Sequence, residues 1–131
     1  MPNPAKVVMI VDDDPIILET CCYQLEEMGY TVLVARSGAY AMRQLREQKV
    51  DTVFLDIIMP DKDGIETLLE IKKNWPSLPV YAMSGGGRAG LRVFLDAAMK
   101  LGADGMLKKP FFPLDMLKLL VPAEAGVWEV S

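Results

Sequence analysis

The chain has 131 residues, 51% of them apolar and 24% charged, which fits one ordinary globular domain and excludes disordered and fibrous classes. Acidic residues outnumber basic ones 18 to 14, and the resulting charge of −4 argues against a dedicated nucleic-acid or anionic-membrane binder. The histidine count is 0, which excludes Ser-His-Asp and Cys-His nucleophile systems, His-ligated zinc and a phosphohistidine carrier.

Five short apolar runs alternate with stretches of helical spacing. The first run, Val7–Val11, is too short for a signal core or a membrane span and stops at Asp12-Asp13-Asp14. Asp14 followed by Pro15 reads as the N-cap and first turn of a helix with the stripe Ile17, Cys21, Leu25 and Met28, ended by Gly29. Cys21 and Cys22 are adjacent and suggest no disulfide framework. Free thiols and the lack of a signal sequence point to a reducing cytoplasm. A second strand, Thr31–Ala35, leads through Arg36 and a capping Ser37 to a weaker stripe at Ala41–Leu45.

The third run, Thr52–Leu55, ends in Asp56. A Pro-Asp-Lys-Asp turn and Gly64 then open a helix carrying Ile65, Leu68, Leu69 and Trp75, closed by Trp75-Pro76. The fourth run, Pro79–Met83, ends in Ser84, and a helix with Leu91, Leu95, Ala98 and Leu101 runs to Gly102. The fifth, Gly105–Leu107, ends in Lys108-Lys109-Pro110, and Pro113 starts a last helix through Leu114, Leu117 and Val121. Residues after Pro122 read as a tail or the start of a linker, in which Trp128 is unusual.

Five β-α units in series, with nearly uninterrupted apolar strands, predict a doubly wound parallel α/β sheet with helices on both faces. Sites in such sheets form at the carboxyl ends of the strands. Four of the five strands deliver a carboxylate, hydroxyl or ammonium to that edge: Asp12 to Asp14, Asp56, Ser84, and Lys108 with Lys109. Carboxylates gathered there repel by ~4 kcal/mol per pair at about 4 Å and an effective dielectric near 20. One acid must then take up a proton, or a cation must bind. An all-oxygen donor set suits a hard, hydrated ion, which in a cell is Mg²⁺. An open Mg²⁺ site beside a lysine and a hydroxyl complements a phosphoryl group, with Asp56 as the nucleophile. Singly, each residue also has a plainer reading: Asp12 to Asp14 as a helix cap, Ser84 as loop chemistry, Lys109 as a solvated charge.

Two other motifs compete. Gly85 to Gly90 matches G-x-G-x-x-G, but a dinucleotide site needs an acid ending the next strand, and Asp104 precedes that strand. Asp12-x-Asp14 resembles the opening of haloacid-dehalogenase-like phosphatases. That family carries a hydroxyl residue at the position of Ile16, and its mechanism leaves Asp56 without a role.

Val-Asp12-Asp13-Asp14-Pro15, Leu-Asp56-Ile-Ile-Met-Pro60-Asp-Lys-Asp-Gly64, Met-Ser84-Gly and Lys109-Pro110-Phe111 together resemble the receiver domain of two-component response regulators. The likeness covers about residues 5 to 121. It implies a flavodoxin-like sheet in strand order 2-1-3-4-5, with residues 1–121 as receiver and 122–131 as tail or linker. It also implies that Asp56 accepts a phosphoryl group from a histidine kinase or histidine phosphotransfer protein. Asp13 and Asp56 would then ligate Mg²⁺ directly, Asp12 through water, and Ile58 through its backbone carbonyl. Ser84 and Lys109 would each meet a phosphoryl oxygen, Pro60 and Gly64 would shape the loop after Asp56, and the Lys109-Pro110 bond would be cis. Enzymatic action would be limited to Mg²⁺-dependent self-phosphorylation and autodephosphorylation. The expected partner is a downstream target or a missing output domain, with no direct nucleic-acid contact and no membrane insertion. Met106 stands where many receivers carry a switching aromatic ring, which puts that switch in doubt here, and Ile58 and Gly85 flank the site as tuners of phosphoryl lifetime.

Overall fold

Near-continuous β-branched and aliphatic runs form five strands in the computed structural model, which describes residues 7–58, 64–84, 91–109 and 113–120. They are β1 (Val7–Val11), β2 (Thr31–Ala35), β3 (Thr52–Asp56), β4 (Val80–Ser84) and β5 (Gly105–Lys108). Between and after them lie α1 (Pro15–Glu27), α2 (Gly38–Glu47), α3 (Gly64–Asn74), α4 (Leu91–Lys100) and α5 (Pro113–Leu120). All strand pairs are parallel and the sheet order is β2-β1-β3-β4-β5, the order expected.

Side chains alternate between faces along each strand, so the sheet builds two cores. Val8, Ile10, Phe54 and Met83 pack with Leu18, Cys21 and Leu25 of α1 and Met116, Leu117 and Leu120 of α5. Met9, Val11, Val53, Leu55, Val80 and Ala82 pack on the other face with Ala41, Met42 and Leu45 of α2, Leu68 and Ile71 of α3 and Ala98 of α4. Burial on both faces explains why the strands read as unbroken apolar runs.

The local punctuation falls where the residues predict it. Asp14 Oδ1 accepts the Ile16 N–H at 2.9 Å, Pro15 occupies the first turn of α1, and Ser37 Oγ accepts the Tyr40 N–H at 3.1 Å. Gly29 (φ 95°) and Gly102 (φ 113°) take the left-handed conformation that ends α1 and α4.

Helix phases differ from expectation in part. In α1 the buried stripe is Leu18, Cys21 and Leu25, with Ile17 half-buried and Met28 exposed beyond the last turn. In α3, Leu68 and Ile71 face the core, while Leu69 is exposed. Leu101 and Leu114 are exposed, whereas Ala98 and Leu117 are buried. Strands β3, β4 and β5 each extend one residue further than predicted, to Asp56, Ser84 and Lys108. The ladder pairs Asp56 with Met83 and Ser84 with Lys108, so the polar ends belong to the rigid sheet. Pro60, Gly85, Pro110 with the expected cis bond, Val121 and Trp128 lie outside the described residues.

Candidate functional site

The carboxyl edge of β1, β3, β4 and β5 gathers the predicted residues. The three consecutive aspartates divide their labour. Asp12 is 0% exposed; its N–H donates to the Ala35 carbonyl at 3.0 Å and its Oδ1 accepts the Asp14 N–H at 2.9 Å. Asp14 serves as the α1 cap, and Asp13 lies between them at the rim. Asp56, the last residue of β3, is 4% exposed. Its Oδ1 accepts the Ile58 N–H at 2.9 Å and its Oδ2 lies 3.3 Å from Lys109 Nζ. Lys109 is held just past β5 by its own N–H, which donates to the Ser84 carbonyl at 2.7 Å, and its ammonium sits 2.5 Å from Asp12 Oδ2.

Carboxylate oxygens of Asp12, Asp13 and Asp56 lie within 4.8 Å of one another. One ammonium therefore faces three acids. Burial raises the Asp56 carboxyl to about 6, opposed by the Ile58 N–H and the Lys109 charge and reinforced by Asp12. Burial also pushes the Lys109 ammonium down, but hydrogen bonding to Asp12 and the charges of Asp56 and Asp12 outweigh it, so its net shift is upward. Ser84 ends β4 at the same edge of the sheet. It is 0% exposed, and among the described residues its Oγ has no hydrogen-bond partner. A buried hydroxyl without a partner is unusual.

A tight backbone contact fixes Asp56 from below. A Cβ on Gly64 would collide with the Asp56 carbonyl oxygen and with Ile57 Cα, and would stand 2.6 Å from the Ile57 carbonyl carbon. Only glycine lets the first residue of α3 rest on the Asp56-Ile57 peptide, while the Ile57 N–H donates to the Met83 carbonyl at 3.0 Å. The sequence marks Gly64 as a turn residue; the close approach to Asp56 has no local signal. The Ile58 side chain is half exposed beside the site, and Met106 is 46% exposed on β5. Burial, with the Asp12 charge adding to it, raises the Cys21 thiol to about 11 and keeps it an unreactive core group.

Among the described residues, donor chemistry and geometry fit a hard divalent cation: three carboxylates, no nitrogen or sulfur ligand, one lysine and one unpartnered hydroxyl. Among the described residues, no helix is long and apolar enough to cross a membrane.

The chain matches the family described as Response regulator receiver domain over residues 8–121. It is 30% identical over 111 residues to the alkaline phosphatase synthesis transcriptional regulatory protein PhoP of Bacillus subtilis, covering 85% of this chain and 45% of PhoP. It is 37% identical over 108 residues to the transcriptional regulatory protein GlrR of Escherichia coli, covering 82% of this chain and 23% of GlrR. The chain thus spans less than half the length of these curated relatives. Among solved structures, a CheY-like receiver domain protein of Methanospirillum hungatei superposes with a TM-score of 0.78 at 30% identity, covering 88% of this chain and 90% of that one. The receiver domain of NtrX from Brucella abortus gives 0.79 at 28% identity, covering 94% and 99%. The chain belongs to the receiver domains of two-component response regulators.

Proposed function

We propose that Asp56 is the phosphoacceptor of this receiver. The observation supporting it is the surplus of charge and unmet bonding at one sheet edge: three carboxylates around one lysine, with the unpartnered Ser84 hydroxyl beside them. In the reaction an Asp56 carboxylate oxygen attacks phosphorus, a P–O bond forms, and the P–N bond to the donor imidazole breaks, the imidazole leaving with a proton. With 0 histidines here, the donor histidine belongs to another domain or protein, a histidine kinase or a histidine phosphotransfer protein.

Asp12, Asp13, Asp56 and the Ile58 carbonyl are the residues to hold Mg²⁺, which when bound screens the acids and stabilises charge on the phosphoryl oxygens. Lys109, already drawn between Asp12 and Asp56, pairs with one phosphoryl oxygen, and Ser84 donates to another. Forming that hydrogen bond gives Ser84 Oγ a partner, so phosphorylation favours a state in which the end of β4 is drawn toward Asp56. Self-phosphorylation and autodephosphorylation are the limit of its own catalysis.

The partners follow from the length of the relatives: a kinase or phosphotransfer protein upstream, and an output domain or separate target downstream, in the cytoplasm. Residues 1–121 form the receiver and 122–131 a tail or the beginning of a linker.

The test is incubation with Mg²⁺ and a small acyl phosphate, followed by mapping of the modified residue. Labelling of Asp56, abolished by Asp56→Asn, is expected. Labelling of Asp12 with turnover of phosphomonoesters would instead indicate a phosphatase, and an intact fold that takes no label would indicate a scaffold.

A further inference from the structure

At the β1 side of the sheet, β2 is the outer strand. Because the Asp12 N–H donates to the Ala35 carbonyl, residues 31, 33 and 35 face β1. Val32 and Val34 therefore turn their backbone groups outward. Of those groups, only the Val34 carbonyl has a partner among the described residues: Gln44 Nε2 of α2 donates to it at 3.0 Å. Thr31–Ala35 contains no charge and no proline, and its register is unbroken, so apart from the Gln44 cap on Val34 the strand itself carries none of these edge protections. Gln44 is 7% exposed, and among the described residues its Oε1 is buried without a hydrogen-bond partner, so capping the Val34 carbonyl through Nε2 leaves the other end of the amide unmet. Beside it lies a cavity of about 450 Å³ between the strand and Tyr40, Arg43 and Glu47 of α2.

We propose that this edge docks an extended segment of a partner polypeptide. The segment adds as a further strand beside β2 and runs along the cavity, with Gln44 as the gate that releases the Val34 carbonyl. The free groups, Val32 N–H, Val32 C=O and Val34 N–H, alternate at strand spacing and match a backbone. They match neither a compact ion nor a helix. Arg43 and Glu47 pair at 3.7 Å, so that cavity wall carries no net charge to favour a charged ligand. A second copy of the chain would have to bring its own α1 and α2, which pack on the two faces at this edge, against those of the first. A single segment brings no helices to this edge. The proposal is independent of the chemistry at Asp56.

The probe is a blocked synthetic peptide of alternating threonine and valine with lysine at each end, titrated into the isotope-labelled chain. The Val32 and Val34 amide resonances are expected to shift saturably, and their hydrogen exchange to slow by at least ~10-fold. Methylating alternate peptide nitrogens should abolish binding in one phase and spare it in the other. Gln44→Met, which keeps the side-chain size and frees the Val34 carbonyl, should bind about fivefold tighter. Absence of saturable binding, shifts centred on other elements, indifference to methylation, or unchanged affinity in Gln44→Met would overturn the proposal. Self-association of Gln44→Met with Val32 and Val34 protected and no peptide present would make the occupant a second copy and overturn it too.

Discussion

Lys109 and Lys72 stand at opposite ends of the same sheet, both with side chains under one-fifth exposed and both paired with aspartate, yet they belong to different kinds of structure. At the amino end, Lys72 Nζ donates to the Leu78 carbonyl at 2.7 Å and to Asp104 Oδ2 at 2.8 Å. The same Asp104 oxygen accepts the Val80 N–H at 2.8 Å. One cation meets one anion there, and the clamp ties α3 to the entries of β4 and β5. At the carboxyl end, among the described residues, one cation meets three acids, and a buried hydroxyl lacks a partner. The residue types are the same; the balance is not. A closed set of partners holds a fold together, whereas a surplus of one charge with open valences leaves room for something to bind.

The largest expected effect comes from removing each lysine. Lys109→Met leaves Asp12 and Asp56 buried side by side without a cation. It should cost on the order of 3 kcal/mol at neutral pH in metal-free buffer, or roughly 10 °C in Tm. Lys72→Met leaves Asp104 with the Val80 N–H and partial exposure, so the cost is smaller, about 1–2 kcal/mol. The discriminating measurement is Mg²⁺ titration by thermal melting. Mg²⁺ should restore most of the loss in Lys109→Met and none in Lys72→Met, while phosphorylation falls about 100-fold only in the former. Equal metal rescue of both variants would erase the distinction between the two ends.

Next is a pH dependence. Burial, reinforced by Asp12, raises the Asp56 carboxyl from 3.8 to about 6 in the folded chain. Between those values the folded state holds a proton that the unfolded state has lost. This group's contribution is therefore full below about pH 4 and disappears as pH rises through about 6. Its size is on the order of 2–3 kcal/mol. The quantity to measure is the difference in stability between the native chain and Asp56→Asn across that window, without metal. It should decline toward neutral pH, and a flat difference would mean that the cluster is already neutralised.

Much of this organisation was readable in the residues themselves, for reasons that also explain the exceptions. Strands buried on both faces announce themselves as apolar runs, and caps such as Asp14-Pro15 and Ser37 act within one turn, so β1 to β5 and the helix starts were predictable. The location of the site followed from topology, since parallel strands bring Asp12, Asp56, Ser84 and Lys109 to one edge. Contacts set by distant chain segments left no local trace. Nothing in Asp12-Asp13-Asp14 says which aspartate is buried. Lys72 reads as a solvated helix charge until Asp104, 32 residues away, is folded against it. The contact of Gly64 with the Asp56-Ile57 peptide, and that of Gln44 with the Val34 carbonyl, belong to the same class. Helix phase departs from the apolar spacing where the apolar residue lies past the last turn, as at Met28 and Leu101.

A smaller effect of opposite sign tests the surplus directly. Asp12→Asn keeps an oxygen able to accept the Asp14 N–H and removes one of three mutually repelling charges. Metal-free stability at neutral pH should stay level or rise by about 1 kcal/mol, whereas Asp104→Asn at the balanced end should lower it by a similar amount. Mg²⁺ affinity, read by titration calorimetry, should fall at least ~10-fold in Asp12→Asn and remain unchanged in Asp104→Asn. A destabilised Asp12→Asn would mean that the ion pair with Lys109 outweighs the repulsion.

Ser84→Ala is the finest probe, because its two effects separate by state. Ser84 Oγ is buried and among the described residues has no hydrogen-bond partner, so deleting it removes a desolvated group and leaves a methyl in its place. Stability should change by less than about 1 kcal/mol, with a gain more natural than a loss. On the reading above, the hydroxyl acquires its partner only when Asp56 carries a phosphoryl group. The variant should therefore accept label at a near-normal rate, yet the extra thermal stability that phosphorylation confers on the native chain should shrink. Melting both proteins before and after labelling separates the cases. A clear loss of stability before labelling would show that Ser84 already holds the fold together, as Lys72 does at the other end of the sheet. A loss confined to the labelled form would show that its bonding capacity is reserved for the phosphoryl group.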